Sequence, residues 1–195
     1  MTTKDISSLS ALLPNVHEAS LGLLSTNDRG LGCLDNSLTC HSLVAVNFDA
    51  VKDDWYGKRF FHQVRSCDAL YKNGDRYYLI EFKTGSPKNL DLFRKLYDSV
   101  IALVENKVQD FDGCRTRVQY LVVSRSYKPC DSHREFLEHF ERGDPEPWEY
   151  DVERDVLASD DRSDIRRLSG FLVDRIYKLS PLDFEKFANN RNWSN

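Results

Sequence analysis

The spacing of apolar positions along the chain predicts most of its elements. Apolar residues three or four positions apart predict helices over residues 4–24, 90–106, 132–141 and 165–179. Continuous apolar runs predict strands at 43–48 and 118–124, whereas 49–58 fits a helix or a loop. Ser180 and Pro181 are typical of the capped start of a final helix. The order α, β, β, β, α, β, α, α predicts an α/β (α+β) fold with a mixed sheet between helices.

The clearest local pattern is a β-hairpin between residues 63 and 84. Two strand-like runs flank Asn73-Gly74, a dipeptide that favours a two-residue turn because both turn positions need positive φ. The second strand, 76–83, is apolar on both faces until it nears its end. That pattern indicates a strand in the middle of a covered sheet.

The hairpin gathers three charged residues on one face. If Asn73-Gly74 forms the loop, Asp68 lies opposite Leu79 and is the diagonal neighbour of Glu81. Diagonal Cβ atoms lie roughly 7 Å apart, close enough for two carboxylates to bind one divalent cation. Lys83 comes next along the same face. The spacing therefore predicts a metal site.

The residue types suit metal-assisted hydrolysis. Mg²⁺ (or Mn²⁺) takes few carboxylate oxygens, keeps several waters and accepts further ligands from phosphate. It polarises a phosphodiester and makes a water nucleophilic, while Lys83 can orient or deprotonate that water or stabilise the developing charge. The alternative is a solvated charge cluster that contributes little. The apolar strand, the diagonal acid and the turn favour the metal site.

The segments SCDALY and YLIEFKTG resemble the core of the PD-(D/E)xK nuclease superfamily, a restriction-endonuclease-like αβββαβ fold. The resemblance covers residues 43–124 in element order, and its residue match is Asp68 and Glu81-x-Lys83. It implies that Asp68 and Glu81 ligate the metal and that Lys83 is catalytic. Cys67 stands where the family name has proline.

The resemblance also implies further site residues. Many members add an acid from the first helix, for which Glu18 is the candidate and Asp49 the other choice. Many also place substrate-contacting or supporting polar residues on the helix that here carries Lys95, Asp98 and Ser99. No motif fixes the third acid.

Composition bounds the class of protein. With 195 residues, 41% of them hydrophobic, we expect one nuclease-like domain over 1–195. Its core would span about 43–124, with a C-terminal helical extension over about 132–195. The five cysteines include no CxxC pair, so neither a disulfide framework nor a structural zinc site is expected. Without a membrane-length apolar stretch or a secretory layout at the N-terminus, we expect a soluble, cytoplasmic protein that does not bind membranes.

Charge is unevenly distributed along the chain. The net charge is −4, yet residues 52–95 carry ten Lys/Arg against six Asp/Glu. Residues 135–164 carry three Arg against twelve Asp/Glu. Lys88, Arg94 and Lys95 are therefore candidates to contact nucleic-acid phosphates, the alternative being an ordinary solvated surface.

Two functions fit these patterns, and a third interpretation is an intracellular domain whose charge cluster is incidental. The first is a metal-dependent nuclease that hydrolyses nucleic acid, DNA in preference to RNA. The second is a nuclease-fold binding module without turnover, an immunity- or antitoxin-like protein that binds a protein partner. The acidic segment favours the second, and the combination of Asp68, Glu81 and Lys83 favours the first. Since many nucleases of this fold act as dimers, a homodimer is a further expectation.

Overall fold

The computed structural model describes residues 18–25, 43–56, 64–127, 165–191 and 193. Within these ranges six strands form one mixed sheet, ordered β1 to β6 as in the sequence. The strands are β1 (Glu18–Ser20), β2 (Val44–Asn47), β3 (Ala69–Asn73), β4 (Arg76–Lys83), β5 (Val118–Ser124) and β6 (Arg175–Leu179). Strands β1 to β4 pair antiparallel, and β4 to β6 pair parallel. The expected mixed sheet between helices is confirmed.

Five helices accompany the sheet in the described ranges. They are α1 (Leu21–Leu24), α2 (Phe48–Tyr56), α3 (Asn89–Glu105), α4 (Phe111–Arg117) and α5 (Pro181–Asn190), with a 3-10 turn at Ile165–Leu168. None of these described helices combines the length and the apolar character needed to cross a bilayer.

Helix α5 covers one side of the sheet, here called the aromatic face. Ser180 caps the helix, since its Oγ accepts the Asp183 N–H at 3.1 Å, and Pro181 follows as predicted. The rings of α5 pack edge-on against those of the sheet: Phe187 on Tyr78 and Phe184 on Phe82, with centroids 6.2 and 5.9 Å apart.

Helix α3 covers the opposite side, here called the site face. Its fully buried residues, Leu92, Leu96, Val100 and Leu103, lie three or four positions apart and form one apolar stripe. The helix predicted over 90–106 is thereby confirmed. Glu81 points to this face because it alternates along β4 with Phe82, which faces α5.

Two predicted helices are wrong where the structure describes them. In the helix predicted over 4–24, Glu18–Ser20 is a strand paired with β2, and only Leu21–Leu24 is helical. In the helix predicted over 165–179, Gly170 turns the chain at φ +72° and residues Arg175–Leu179 extend the sheet. Their apolar spacing fitted a helix, but pairing with neighbouring strands outweighs a helical period over so few residues. The C-terminal part is therefore not purely helical.

Two further helices remain, one in a segment that fitted a helix or a loop and one that was not predicted. Residues 49–58 were open between helix and loop, and Phe48–Tyr56 is helical. The pattern did not predict α4, which Asp110 caps by accepting the Gly113 N–H at 2.6 Å. The predicted helix at 132–141, the acidic segment 135–164 and residues 4–17 lie outside the described residues.

Candidate functional site

The hairpin turn lies one residue later than predicted. Asn73 pairs with Arg76, so the two-residue loop is Gly74–Asp75 rather than Asn73-Gly74. Only Gly74 of the two has positive φ, at +61°, which is typical of a turn with glycine first. The pairing of β3 with β4 is therefore two residues out from the predicted register. Because side chains alternate with a period of two, the shift leaves every face assignment intact.

The observed register places Asp68 directly beside Glu81 rather than diagonally. Asp68 is the last residue before β3, and one more step of the Ala69–Ile80 ladder sets it opposite Glu81. The Phe82 N–H donates to Asp68 Oδ2 at 2.6 Å, which fixes the carboxylate against β4. The two acids thus share the end of the hairpin remote from its turn.

Helix α3 holds the segment that leads into Asp68. The Cys67 N–H donates to Ser99 Oγ at 3.0 Å, and the Arg65 N–H donates to Asp98 Oδ2 at 2.9 Å. These two bonds supply partners for main-chain N–H groups that precede β3 and so are not paired in the sheet. Asp98 and Ser99, implied by the resemblance to be supporting residues, position the approach to the site.

Two lysines meet the two carboxylates. Lys95 Nζ lies 3.2 Å from Asp68 Oδ1 and 2.8 and 2.9 Å from the two oxygens of Glu81. Lys83 Nζ lies 2.6 Å from Glu81 Oε1. We call these four residues the charge cluster; with both lysines and both acids ionised, its charges balance. Each carboxylate oxygen has a cation or an N–H within 3.2 Å.

Burial controls the titration of this cluster. Glu81 is fully buried, and burial, together with the adjacent Asp68, raises its pKa to about 7 despite Lys95 and Lys83. Burial likewise raises the pKa of Asp68 against the opposing effects of Lys95 and the Phe82 N–H. Burial lowers the pKa of Lys95, but the two carboxylates outweigh it, and the net shift is upward. Lys95 is therefore charged at neutral pH, where Glu81 titrates.

Two further polar groups lie beneath the cluster and are neutral. Burial, followed by the charge of Glu81, raises the pKa of the Cys67 thiol above its usual range. Burial, with the neighbouring Cys67 and Glu81, also raises that of the Tyr120 hydroxyl. A neutral, fully buried thiol is a poor nucleophile, so Cys67 is a weaker candidate for chemistry than the charge cluster.

A cleft of about 490 Å³ opens beside the cluster. Asp68, Lys83 and Lys95 line its floor. Its other lining residues come from β1 and α1, the β2–α2 junction and the end of β4 and its following loop: Ala19, Leu23, Leu24, Ser25, Asn47, Asp49, Phe82, Thr84, Gly85 and Ser86. This volume suits part of a polymer or a small ligand.

The two candidates for a third acid differ in position. Asp49 lines the cleft, accepts the Ser66 hydroxyl at 2.5 Å and helps to raise the pKa of Asp68. Glu18 is exposed on β1, opposite Val46 and three strands from Glu81. Neighbouring strands are about 4.8 Å apart, so the backbone of β1 runs roughly 14 Å from that of β4.

A divalent cation could bind at the charge cluster only if enough ligating side chains converge on one point. Within the described ranges, no group of three His, Cys, Asp or Glu side chains gathers around one point. Two carboxylates do converge on one positively charged atom, Lys95 Nζ, at 2.8 and 3.2 Å. Mg²⁺ needs only one or two carboxylates when water and phosphate complete its shell. Asp68 and Glu81 therefore fit Mg²⁺, with water rather than a third acid filling the remaining positions.

The candidate phosphate-binding residues separate into two groups. Lys88 precedes α3 and Arg94 lies on its outer side, and both are exposed. Lys95 instead lies in the charge cluster. One signal in the sequence could have shown this: Lys95 lies between Leu92 and Ser99, at helical spacing from both, beside the buried stripe of α3.

A scan of family models found no match, and neither did searches of curated proteins and of solved structures.

Proposed function

We propose that this chain is a metal-dependent hydrolase of the nuclease type, acting on phosphodiesters of nucleic acid, DNA in preference to RNA. One observation carries the proposal. The carboxylates of Asp68 and Glu81 converge on a single cationic atom, with Lys83 beside them, and Asp68, Lys83 and Lys95 line a cleft. That arrangement is what a two-carboxylate Mg²⁺ site next to a catalytic lysine requires.

The position of each residue in the site determines its proposed role. Asp68 and Glu81 would hold Mg²⁺, which when bound polarises a phosphodiester and makes a water nucleophilic. The Lys83 side chain is 32% exposed and lines the cleft, so its ammonium reaches the water or the developing negative charge. Asn47 and Ser86 add an amide and a hydroxyl to the wall, groups that commonly contact phosphate oxygens.

The order of elements supports a restriction-endonuclease-like core. Strands β2, β3 and β4 form an antiparallel meander, α3 crosses the site face, and β5 returns parallel to β4. Helices α2 and α4 are additions to the αβββαβ order. The proposed active site lies where β3 begins and β4 ends, so one hairpin supplies three of the four charged residues.

A second candidate function has an observation of its own. Lys83 and Lys95 already pair with Asp68 and Glu81, so the charges of the cluster are balanced without a metal. A self-neutralised cluster favours a nuclease-fold module without turnover, an immunity- or antitoxin-like protein that binds a protein partner. Metal would then change neither its stability nor its binding.

Metal-dependent stability separates the two functions. We expect Mg²⁺ or Mn²⁺ to raise the Tm of the wild type, because a ligand that binds only the folded state stabilises it. Asp68→Ala and Glu81→Ala should remove the response, while Asp112→Ala, which truncates a carboxylate 90% exposed on α4, should retain it. A wild type whose Tm is indifferent to both metals would overturn the metal site and leave the binding module.

Cleavage then tests turnover. Plasmid DNA and matched DNA and RNA oligonucleotides should be cut in the presence of Mg²⁺, DNA faster than RNA. Lys83→Ala should lower the rate by about 10² to 10⁴, the usual contribution of a positioned acid–base group. Its Tm response to metal should persist, because both carboxylates are intact. Metal binding without any cleavage would overturn the hydrolase activity and leave the metal site standing.

A further inference from the structure

Lys95 occupies the point where a divalent cation would bind. Its Nζ lies 3.2 Å from Asp68 Oδ1 and 2.8 Å from Glu81 Oε1. A cation shared by the same two carboxylates would lie about 2.1 Å from each oxygen, within the volume of the ammonium group. Like charges also repel strongly at such distances in a buried site. The ammonium and the metal therefore exclude each other.

The helix allows only the side chain of Lys95 to move. Leu92, Leu96 and Ser99 are fully buried around it, so its Cα is held by the packed face of α3. The side chain itself is 17% exposed and lines the cleft. If the ammonium leaves the carboxylates, the cleft is the space that can receive it.

Lys83 is bound differently and can stay in place. Its ion pair is with Glu81 Oε1, whereas Lys95 pairs with both carboxylates, and its side chain is more exposed than that of Lys95. It approaches the pair from one side instead of bridging it. A cation between Asp68 and Glu81 would therefore displace Lys95 rather than Lys83.

We propose that Lys95 is a tethered counter-ion that competes with the divalent cation and, once displaced, turns into the cleft to contact the substrate phosphate. The inference rests on the proposed function. Releasing the ammonium from two carboxylates costs free energy, which a charge-assisted hydrogen bond to a phosphate offsets. Metal and phosphodiester binding are then coupled, each tightening the other by the same factor.

Calorimetric titration of the full chain with Mg²⁺ tests the competition. Lys95→Met, which keeps the length of the side chain without its charge, should bind Mg²⁺ about tenfold more tightly or better. The matched control is Lys186→Met, since Lys186 also lies by a buried carboxylate, 3.7 Å from Asp183 on α5, away from the site face. That variant should bind as the wild type does.

The coupling is measured with Ca²⁺, chosen so that hydrolysis does not consume the probe, and a short DNA oligonucleotide. The oligonucleotide should tighten Ca²⁺ binding to the wild type by about 5- to 150-fold, the usual range for coupled sites. In Lys95→Met the factor should fall towards one. A factor unchanged in that variant would overturn the role of Lys95 in coupling.

The outcomes distinguish this inference from the proposed function. If the wild type binds Mg²⁺ and Lys95→Met binds it equally or less well, the competition is wrong and the metal site stands. If only Lys95→Met binds, the ammonium blocks the wild-type site and is never displaced, so both the displacement and the proposed function of the wild type are wrong. If neither binds, the proposed metal site falls and this inference with it.

A measurement on the wild type avoids the variant altogether, should Lys95→Met fail to fold. Amine acylation followed by mass spectrometry reports how accessible each lysine is. Mg²⁺ should accelerate labelling of Lys95 several-fold and leave Lys186 unchanged as the internal reference. Equal labelling of Lys95 with and without Mg²⁺, in a protein whose Tm responds to the metal, would contradict the displacement.

Discussion

The two faces of the sheet are filled in opposite ways. The aromatic face buries a continuous set of rings under α5: Tyr71, Tyr78, Phe82, Tyr177, Phe184, Phe187 and Trp193. The site face packs an aliphatic stripe of α3, but at one end it also encloses Glu81 and Lys95. Ring burial stabilises a fold strongly, whereas buried ion pairs contribute little net stability.

Strand β4 shows the contrast at neighbouring positions. Phe82 faces the rings of α5, and Glu81, one residue earlier, faces the lysine of α3. Burying Glu81 costs free energy that the rest of the sheet must offset. An apolar residue there would avoid this cost, and departures of this kind from a stable pattern are expected mainly at functional or strained sites.

The largest expected effect comes from the aromatic face. Phe187 contacts the rings of Tyr78, Tyr177 and Trp193, and Phe187→Ala should lower the free energy of unfolding by about 3 to 5 kcal/mol. Leu182→Ala on the same helix removes a side chain that is 53% exposed, and should change it by less than about 0.5 kcal/mol. Urea denaturation measures both. A loss below 1 kcal/mol for Phe187→Ala would contradict the contrast between the faces.

A smaller effect comes from the titration of Glu81 on the site face. The folded state raises the pKa of Glu81 from 4.5 to about 7, so between these values it holds a proton that the unfolded chain releases. This contribution to stability is present at low pH and is lost as pH rises towards 7. Relative to Glu81→Gln, the wild type should lose about 3 kcal/mol between pH 4.5 and pH 7.

Denaturation at a series of pH values checks this slope. Glu105→Gln, which removes an exposed carboxyl at the end of the same helix as Lys95, should retain the pH dependence of the wild type. Parallel curves for the wild type and Glu81→Gln would show that Glu81 titrates normally.

The smallest expected effects come from the N-caps of α5 and α3, the helices that cover the two faces. Ser180 caps α5 through its side chain, whereas Lys88 at the N-cap of α3 makes no side-chain cap bond. Ser180→Ala should cost about 1 kcal/mol, and Lys88→Ser should stabilise by roughly 0.5 to 1 kcal/mol. Thermal unfolding of the two variants measures this, and equal shifts of the same sign would contradict the difference in capping.

The sequence correctly predicted those elements whose apolar pattern fits only one kind of secondary structure. All seven residues of VQYLVVS are buried in β5, so a mainly apolar run rich in β-branched residues predicted the bounds of that strand correctly. The apolar stripe of α3 was equally clear. Ile165 to Leu179 has apolar spacing that fits both a helix and a strand, and only the pairing with β5 selects the strand β6.

The grouping of the charge cluster was predicted in part for a similar reason. Asp68, Glu81 and Lys83 lie on one hairpin, so the alternation of side chains places them on one face for a two-residue turn at either Asn73-Gly74 or Gly74-Asp75. Lys95 comes from a helix after the hairpin, and its place between the acids depends on how α3 packs on the sheet. That packing is tertiary, and local pattern does not encode it.

The buried carboxylate of Glu81 also disfavours one wrong pairing of the hairpin strands. A hairpin that first closes two residues out of register keeps Glu81 on the site face and can reach the native pairing by sliding. A slip of one residue would turn Glu81 towards Phe184 and the other rings of α5, among apolar groups. The charge that weakens the folded sheet thus makes that misfolded arrangement less stable still.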